Sequence, residues 1–408
     1  MDNGLTVIVH EDFTTPLVAV NILYKVGSRD EDPDKTGFTH LFEHLMFGGS
    51  KNVPEFDDVI QEAGGENNAF TNTDITNFYD IVPVQNLDVV LWLESDRMNQ
   101  LKFNKSVLDT QKRVVIEEFK ETCLNEPYGD MWHHLAAMAF EKHPYRWPTI
   151  GIDFHHIASA HMDDVKSFFY NYYRPNNAIL VLAGPVKTDE VLKKVQYWFG
   201  SIPAGDTVRP IRQMDQPYQS YKQKTVEADV PMNAIIMAFQ MDARRTRGYY
   251  DLDLVSDILS SGRSSRLQQN LVKDRQLFNS IDAFVLGTED PGLFLVEGKL
   301  MDGVSLETGR AAIWEELYRL SNEALDPQEM EKLLNRAESQ LIFSEYSVVN
   351  KSMNLAYFES IGDIDLINQE AKIYSAITPD ELQKSSATCF RDQAYVELNY
   401  IPNASKVG

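Results

Sequence analysis

His40-Leu41-Phe42-Glu43-His44 constrains this chain more than any other stretch. Residues at i, i+3 and i+4 share a face on a helix, so two histidines and a glutamate at these positions act together only in that conformation. The neighbours supply the rest of the demand. Phe38, Leu41, Phe42, Leu45 and Met46 form an apolar side that must be buried, Thr36 is placed to cap the start, and Gly48-Gly49 ends the helix. His40 and His44 can each offer a ring nitrogen to one zinc ion, with Glu43 alongside to take a proton from water at an open coordination position. The spacing is H-x-x-E-H, the inverted zinc motif.

Zinc needs a third protein donor. A carboxylate would leave the site a net charge of about +1, enough to lower the pKa of bound water towards ~7. Helical periodicity over 106–121 brings two candidates. Glu118 shares a stripe with Leu108, Gln111 and Val115, which reads as buried, whereas Glu117 shares one with Thr110, Val114 and Glu121, which reads as wetter. Glu118 is therefore favoured. Between the two helices the chain reads as a helix over 54–63, an extended stretch from Asn67 to Val82, and a helix over 87–99. Strands are expected earlier, over 5–10 and 17–26. Asn68-Ala69-Phe70-Thr71 can form an edge strand whose free backbone groups accept an extended peptide.

Length and charge narrow the class. A chain of 408 residues exceeds what one hydrophobic core usually serves, so two or more domains are expected. A net charge of -23 with no long Lys/Arg block argues against nucleic acid. Cys123 and Cys389 make neither a disulfide framework nor a thiolate zinc site. No apolar run approaches the ~18 residues of a membrane helix and no leader-like segment opens the sequence, so a soluble cytoplasmic protein is expected, or an exported one if a leader has been removed. The remaining histidines, His133-His134, His143, His155-His156 and His161, read as surface or capping residues.

The motif, Asn68-Ala69-Phe70-Thr71, and Val114-Val115-Ile116-Glu117-Glu118, with its last carboxylate 74 positions after His44, together resemble the pitrilysin-type (insulinase-like) zinc peptidases, on the mitochondrial processing peptidase branch. The resemblance extends through Tyr173-Arg174-Pro175-Asn176-Asn177. It implies His40, His44 and Glu118 as zinc ligands, Glu43 as general base, and Asn68 and Ala69, with Phe70, as residues that hold substrate backbone. Gln111 departs from the pattern. The family commonly has a second glutamate near that position, and glutamine keeps hydrogen bonding without charge.

The implied fold is α+β, two homologous domains that are each a mainly antiparallel sheet with helices packed largely on one face. Asp163-Asp164-Val165 with 178–185 lines up with Asp380-Glu381-Leu382 and 395–402 at a constant offset of 217. Opposite the zinc helix fall Gly248-Tyr249 and 252–259, where Asp251 and Val255 stand in place of the histidines. A zinc-bearing domain over 1–205, a linker over 206–220 and a metal-free homologous domain over 221–408 are expected. After Ser264-Ser265-Arg266-Leu267 the family has an arginine and, seven positions later, a tyrosine that act on substrate from the facing domain. Here these are Val272 and Asn279. The expectation is a zinc endopeptidase acting on peptides or unfolded segments, paired as a heterodimer with a homologous subunit that supplies the Arg/Tyr pair. The alternative is a non-catalytic scaffold of the same fold.

Overall fold

The structure is a computed structural model that describes residues 1–206 and 212–403. The chain forms two compact units, each built on a five-stranded sheet. In the first, β1 (Thr6–Glu11), β2 (Leu17–Tyr24), β3 (Glu66–Thr71), β4 (Thr76–Pro83) and β5 (Ala178–Gly184) lie in the order β1-β5-β2-β4-β3. In the second, β6 (Lys222–Ala228), β7 (Ala234–Gln240), β8 (Phe278–Leu286), β9 (Leu293–Leu300) and β10 (Val396–Pro402) lie in the order β6-β10-β7-β9-β8. The two orders are the same path traced twice. In each sheet one pair is parallel, β1 with β5 and β6 with β10, and the other pairs are antiparallel. The repeat expected at an offset of 217 is thus a repeat of topology, its strand in each copy being β5 or β10, second in the order of its sheet and parallel to the edge strand.

Alternation in β2 shows how the first unit is layered. Val18, Val20, Ile22 and Tyr24 join a core with Leu41, Phe42, Leu45 and Met46 of the motif helix, Phe38–Phe47. Leu23, together with Ile179 and Val181 of β5, faces the other way and is covered by the helix Val348–Ser360. Ser352 and Ala356 of that helix are fully buried, and their small size lets it lie close to the strands. Burial on both faces explains why β5 reads Ala-Ile-Leu-Val-Leu-Ala-Gly with no polar residue.

Compact packing does not follow chain order throughout. The first unit is Met1–Lys120, His143–Gln213 and Ile342–Asn368; the second is Glu121–Lys142, Met214–Leu341 and Gln369–Gly408. The helix Met131–Ala139 accordingly packs on β10 and β7, with Tyr400 donating to Asp130 at 2.6 Å and stacking edge-on against Tyr128. Each sheet therefore carries its main helical layer on one face and a single helix from the other half of the sequence on the opposite face. Of the linker expected over 206–220, positions 207–211 lie outside the described residues. No helix among the described residues is long and apolar enough to cross a membrane.

Candidate metal centre

The motif helix is held at both ends by features that its own apolar stripe does not reveal. Its N-cap is Gly37, in the left-handed region at φ 85°, where a Cβ would stand 2.7 Å from the Ile150 carbonyl oxygen. Thr36 does not cap it. The Thr36 hydroxyl instead lies 2.9 Å from His156 Nδ1 and accepts the Ile152 N–H, tying two loops together. Capping falls to Glu31, whose carboxylate accepts the Gly37 N–H at 2.9 Å and the Thr39 N–H at 2.7 Å. Glu31 is 5% exposed, and burial pushes its carboxyl up to about 8. On the buried side Phe42 stacks on Tyr173 at 5.1 Å, so the Tyr173-Arg174-Pro175 stretch acts from beneath as packing.

The helix that carries Glu118, Lys105–Phe119, is capped by Asn104, whose side chain accepts the Val107 N–H. It passes close to the end of the motif helix. A Cβ on Gly48 would stand 2.7 Å from Val107 Cγ1, so bare backbone at this point permits the approach. Leu108 and Val115 are buried, and the stripe they define carries Glu118 to the two histidines.

His40 Nε2 stands 3.6 Å from Glu118 Oε1, and His44 Nε2 stands 3.4 Å from Glu118 Oε2. The two rings meet edge-on with centroids 4.9 Å apart. Two donors each ~2.0–2.1 Å from a zinc ion at a tetrahedral angle stand about 3.3 Å apart, and one donor atom from each of the three residues here lies within 4.8 Å of the others, close enough to converge on one ion. The donor set suits it too, with two imidazoles and one carboxylate leaving a fourth position open. Burial, more than any neighbour, holds His40 below its ordinary pKa, favouring the neutral ring with a lone pair to give. The His44 imidazole beside Glu118 holds its carboxyl below the usual carboxylate range. Among the described residues this is the one group of three such side chains that can share an ion.

The other expected site residues fall around it. Glu117 points away, with its side chain 65% exposed and paired with Lys120 at 2.7 Å. Glu43 lies on the motif helix between the histidines, where its Oε2 accepts a hydrogen bond from Thr71 Oγ1 at 2.6 Å. Gln111 lies two turns before Glu118, beside Gly48. Asn68, Ala69 and Phe70 are in β3, which ends the strand order of its sheet. The Ala69 N–H turns away from β4 and is satisfied by the Asn68 side-chain oxygen at 2.8 Å, while Phe70 is exposed. In the second unit Asp251 accepts from Ser385 and faces Arg247, so the place opposite His40 is structural. Val272 packs against the second core, and Asn279 sits exposed at an irregularity in β8.

Comparison with known proteins identifies the family. The family model described as insulinase (peptidase family M16) matches residues 6–152, and the one described as the peptidase M16 inactive domain matches 159–337. The chain belongs to peptidase family M16. An M16 relative, the zinc protease PqqE of Helicobacter pylori, is 29% identical over 377 residues, covering 88% of this chain and 85% of that protein. A probable mitochondrial-processing peptidase subunit beta from Arabidopsis thaliana is 24% identical over 308 residues, 72% of this chain and 57% of that one. The crystal structure of a protease from Helicobacter pylori matches with a TM-score of 0.94 at 26% identity, covering 98% of each chain. Sequence reasoning misses the capping role of Glu31 and, although it places Thr71 in the edge strand, the contact of Thr71 with Glu43. Glu31 lies in a polar loop with no periodicity to mark it, and Thr71 meets Glu43 across 28 positions that no helix or strand rule connects.

Proposed function

We propose that this chain is a zinc-dependent endopeptidase acting on peptides or unfolded polypeptide segments. The observation that carries this reading is the meeting of His40 Nε2, His44 Nε2 and Glu118 at zinc-like spacing beside a carboxylate, Glu43, that stands outside the donor set. The names of M16 relatives as zinc proteases support it. Zinc bound there would polarise the scissile carbonyl and acidify a water molecule. Glu43 takes the proton from that water and returns it to the leaving amine. Asn68, Ala69 and Phe70 hold an extended substrate along the open edge of β3. Gln111 contributes hydrogen bonding without charge behind the ligands. The metal chemistry belongs to 1–205, and 221–408 is its metal-free homologue.

The working form is a heterodimer. A developing oxyanion needs a donor, and neither Val272 nor Asn279 offers a charged or phenolic one. Two local substitutes are already engaged, Arg275 with Glu315 at 2.8 Å and Tyr249 buried under the Arg244 guanidinium. A homologous subunit with an Arg/Tyr pair supplies what is missing, in keeping with the relative named as a subunit. A scaffold reading draws on the inactive-domain description of 159–337, a segment outside the donor set.

Glu43→Gln separates the readings. It is expected to keep a full complement of zinc and to lose peptide hydrolysis by ~10²–10⁴-fold, because the base is gone and the ligands are not. Zinc content and turnover of a quenched peptide in the presence of the partner are the measurements; a fully active Glu43→Gln protein overturns the mechanism.

A further inference from the structure

We infer that Thr71 is a positioning residue that orients Glu43 and ties it to the strand on which substrate pairs, an inference that rests on the peptidase reading above. Glu43 hangs from the motif helix by a flexible side chain, and a base that accepts a proton must present one oxygen to it. Thr71 Oγ1 donates to Glu43 Oε2 at 2.6 Å. That bond fixes the direction of the carboxylate, and with it the way the remaining acceptor positions of Glu43 face an incoming proton.

The donor is itself fixed. Thr71 is the last residue of β3 and stands opposite Thr76 in the ladder with β4. The turn that follows is closed by Asn72, whose side-chain oxygen accepts the N–H groups of Asp74 and Ile75 at 2.8 and 2.9 Å. Asp74 is buried and accepts from Arg29 Nη1 and the Tyr145 hydroxyl. The Asn72 carbonyl accepts the Ser28 N–H. A hydroxyl on such a support holds its direction, and β-branching restricts χ1 as serine would not. Along β3 the side chains at 67, 69 and 71 take the less exposed side and those at 66, 68 and 70 the more exposed one, so Thr71 is directed at the helix while the outward Ala69 N–H stands two residues away. One strand thus sets both where a paired peptide lies and how the base is aimed, which links the register of the substrate to the proton acceptor.

The test compares Thr71→Val, which keeps shape and removes the hydroxyl, with Thr71→Ser, which keeps the hydroxyl, in the zinc-loaded protein with its partner subunit. Thr71→Val is expected to lower kcat by about 10–100-fold, the usual range for losing a hydrogen bond to a charged group, with KM and zinc content unchanged. Thr71→Ser is expected to recover most of that loss. An unchanged kcat in Thr71→Val, a raised KM with kcat intact, or a serine variant as slow as the valine one each overturns the inference. Crystal structures of the zinc-loaded parent and Thr71→Val read the same point without turnover. Glu43 is expected in one orientation against Thr71 in the parent and in another, or in several, in the variant. If the parent binds zinc but cleaves nothing, the peptidase reading fails and these structures alone decide the role of Thr71; an unmoved Glu43 in Thr71→Val rejects it.

Discussion

Neighbouring glutamates on one helix make the sharpest test of the metal centre, because they differ in direction and in little else. Glu118 Oε1 and Oε2 stand 3.6 and 3.4 Å from the two histidine nitrogens, whereas Glu117 is turned to solvent and Lys120. Zinc held by four donors in small peptides is bound by ~10–16 kcal/mol, or about 3–4 kcal/mol per donor, and that corresponds to roughly 10²–10³-fold in affinity. Glu118→Gln exchanges a charged donor for a neutral carboxamide and should forfeit most of this. Glu117→Gln removes an exposed i,i+3 pair worth ~0.3–0.5 kcal/mol, so its zinc affinity and stability should match the parent's closely. Competition with a chromophoric chelator at fixed pH, backed by metal content after dialysis, measures both. The reasoning fails if Glu117→Gln releases zinc while Glu118→Gln retains it, or if both keep the parent's affinity.

Glu31→Ala leaves the buried N–H groups of Gly37 and Thr39 without an acceptor, and metal-free protein should lose about 2–4 kcal/mol in a urea titration. The pH dependence has a definite sign. Glu31 is raised to about 8 in the fold from 4.5 when free, so between those values the folded state holds a proton that the unfolded chain has released. Its contribution to stability is complete below about pH 4.5 and declines as the pH rises to 8. Glu31→Gln should flatten that decline, and equal slopes for parent and variant would count against burial of this carboxyl as its source. For the partner, rigorously purified chain alone should turn over a quenched peptide weakly, and adding a homologous subunit that carries an Arg/Tyr pair should raise the rate by ~10²–10³-fold; full-speed cleavage unchanged on mixing would refute the requirement.

What sequence could reveal divides by the range of the forces involved. The His40–His44 spacing and the stripe through Leu108, Gln111, Val115 and Glu118 are local patterns, and each reads directly from periodicity. The edge position of β3 could be suspected from its polar alternation. Thr36 misleads because a threonine just before an apolar run is a common capping signal; in the fold Gly37 takes the left-handed turn and a carboxylate six residues upstream of it reaches the free N–H groups. Nothing local separates those two solutions. The covering helices show the same limit. Nothing in the residues around 348–360 says which sheet that segment covers, since Leu23 and Val181 lie more than 150 residues from Ala356.

That exchange of covers changes what counts as half of this molecule. A fragment ending at the linker would contain His40, His44, Glu118 and the whole of the first sheet, yet Leu23, Ile179 and Val181 would face water, because the helix bearing Ala356 would be missing. The complementary fragment would lack the helix Met131–Ala139 from β10 and β7. Each half is the other's chaperone for one face, so a chain still being synthesised holds an exposed apolar sheet until residue 360 has emerged, and nicking the linker would leave two fragments that remain clasped.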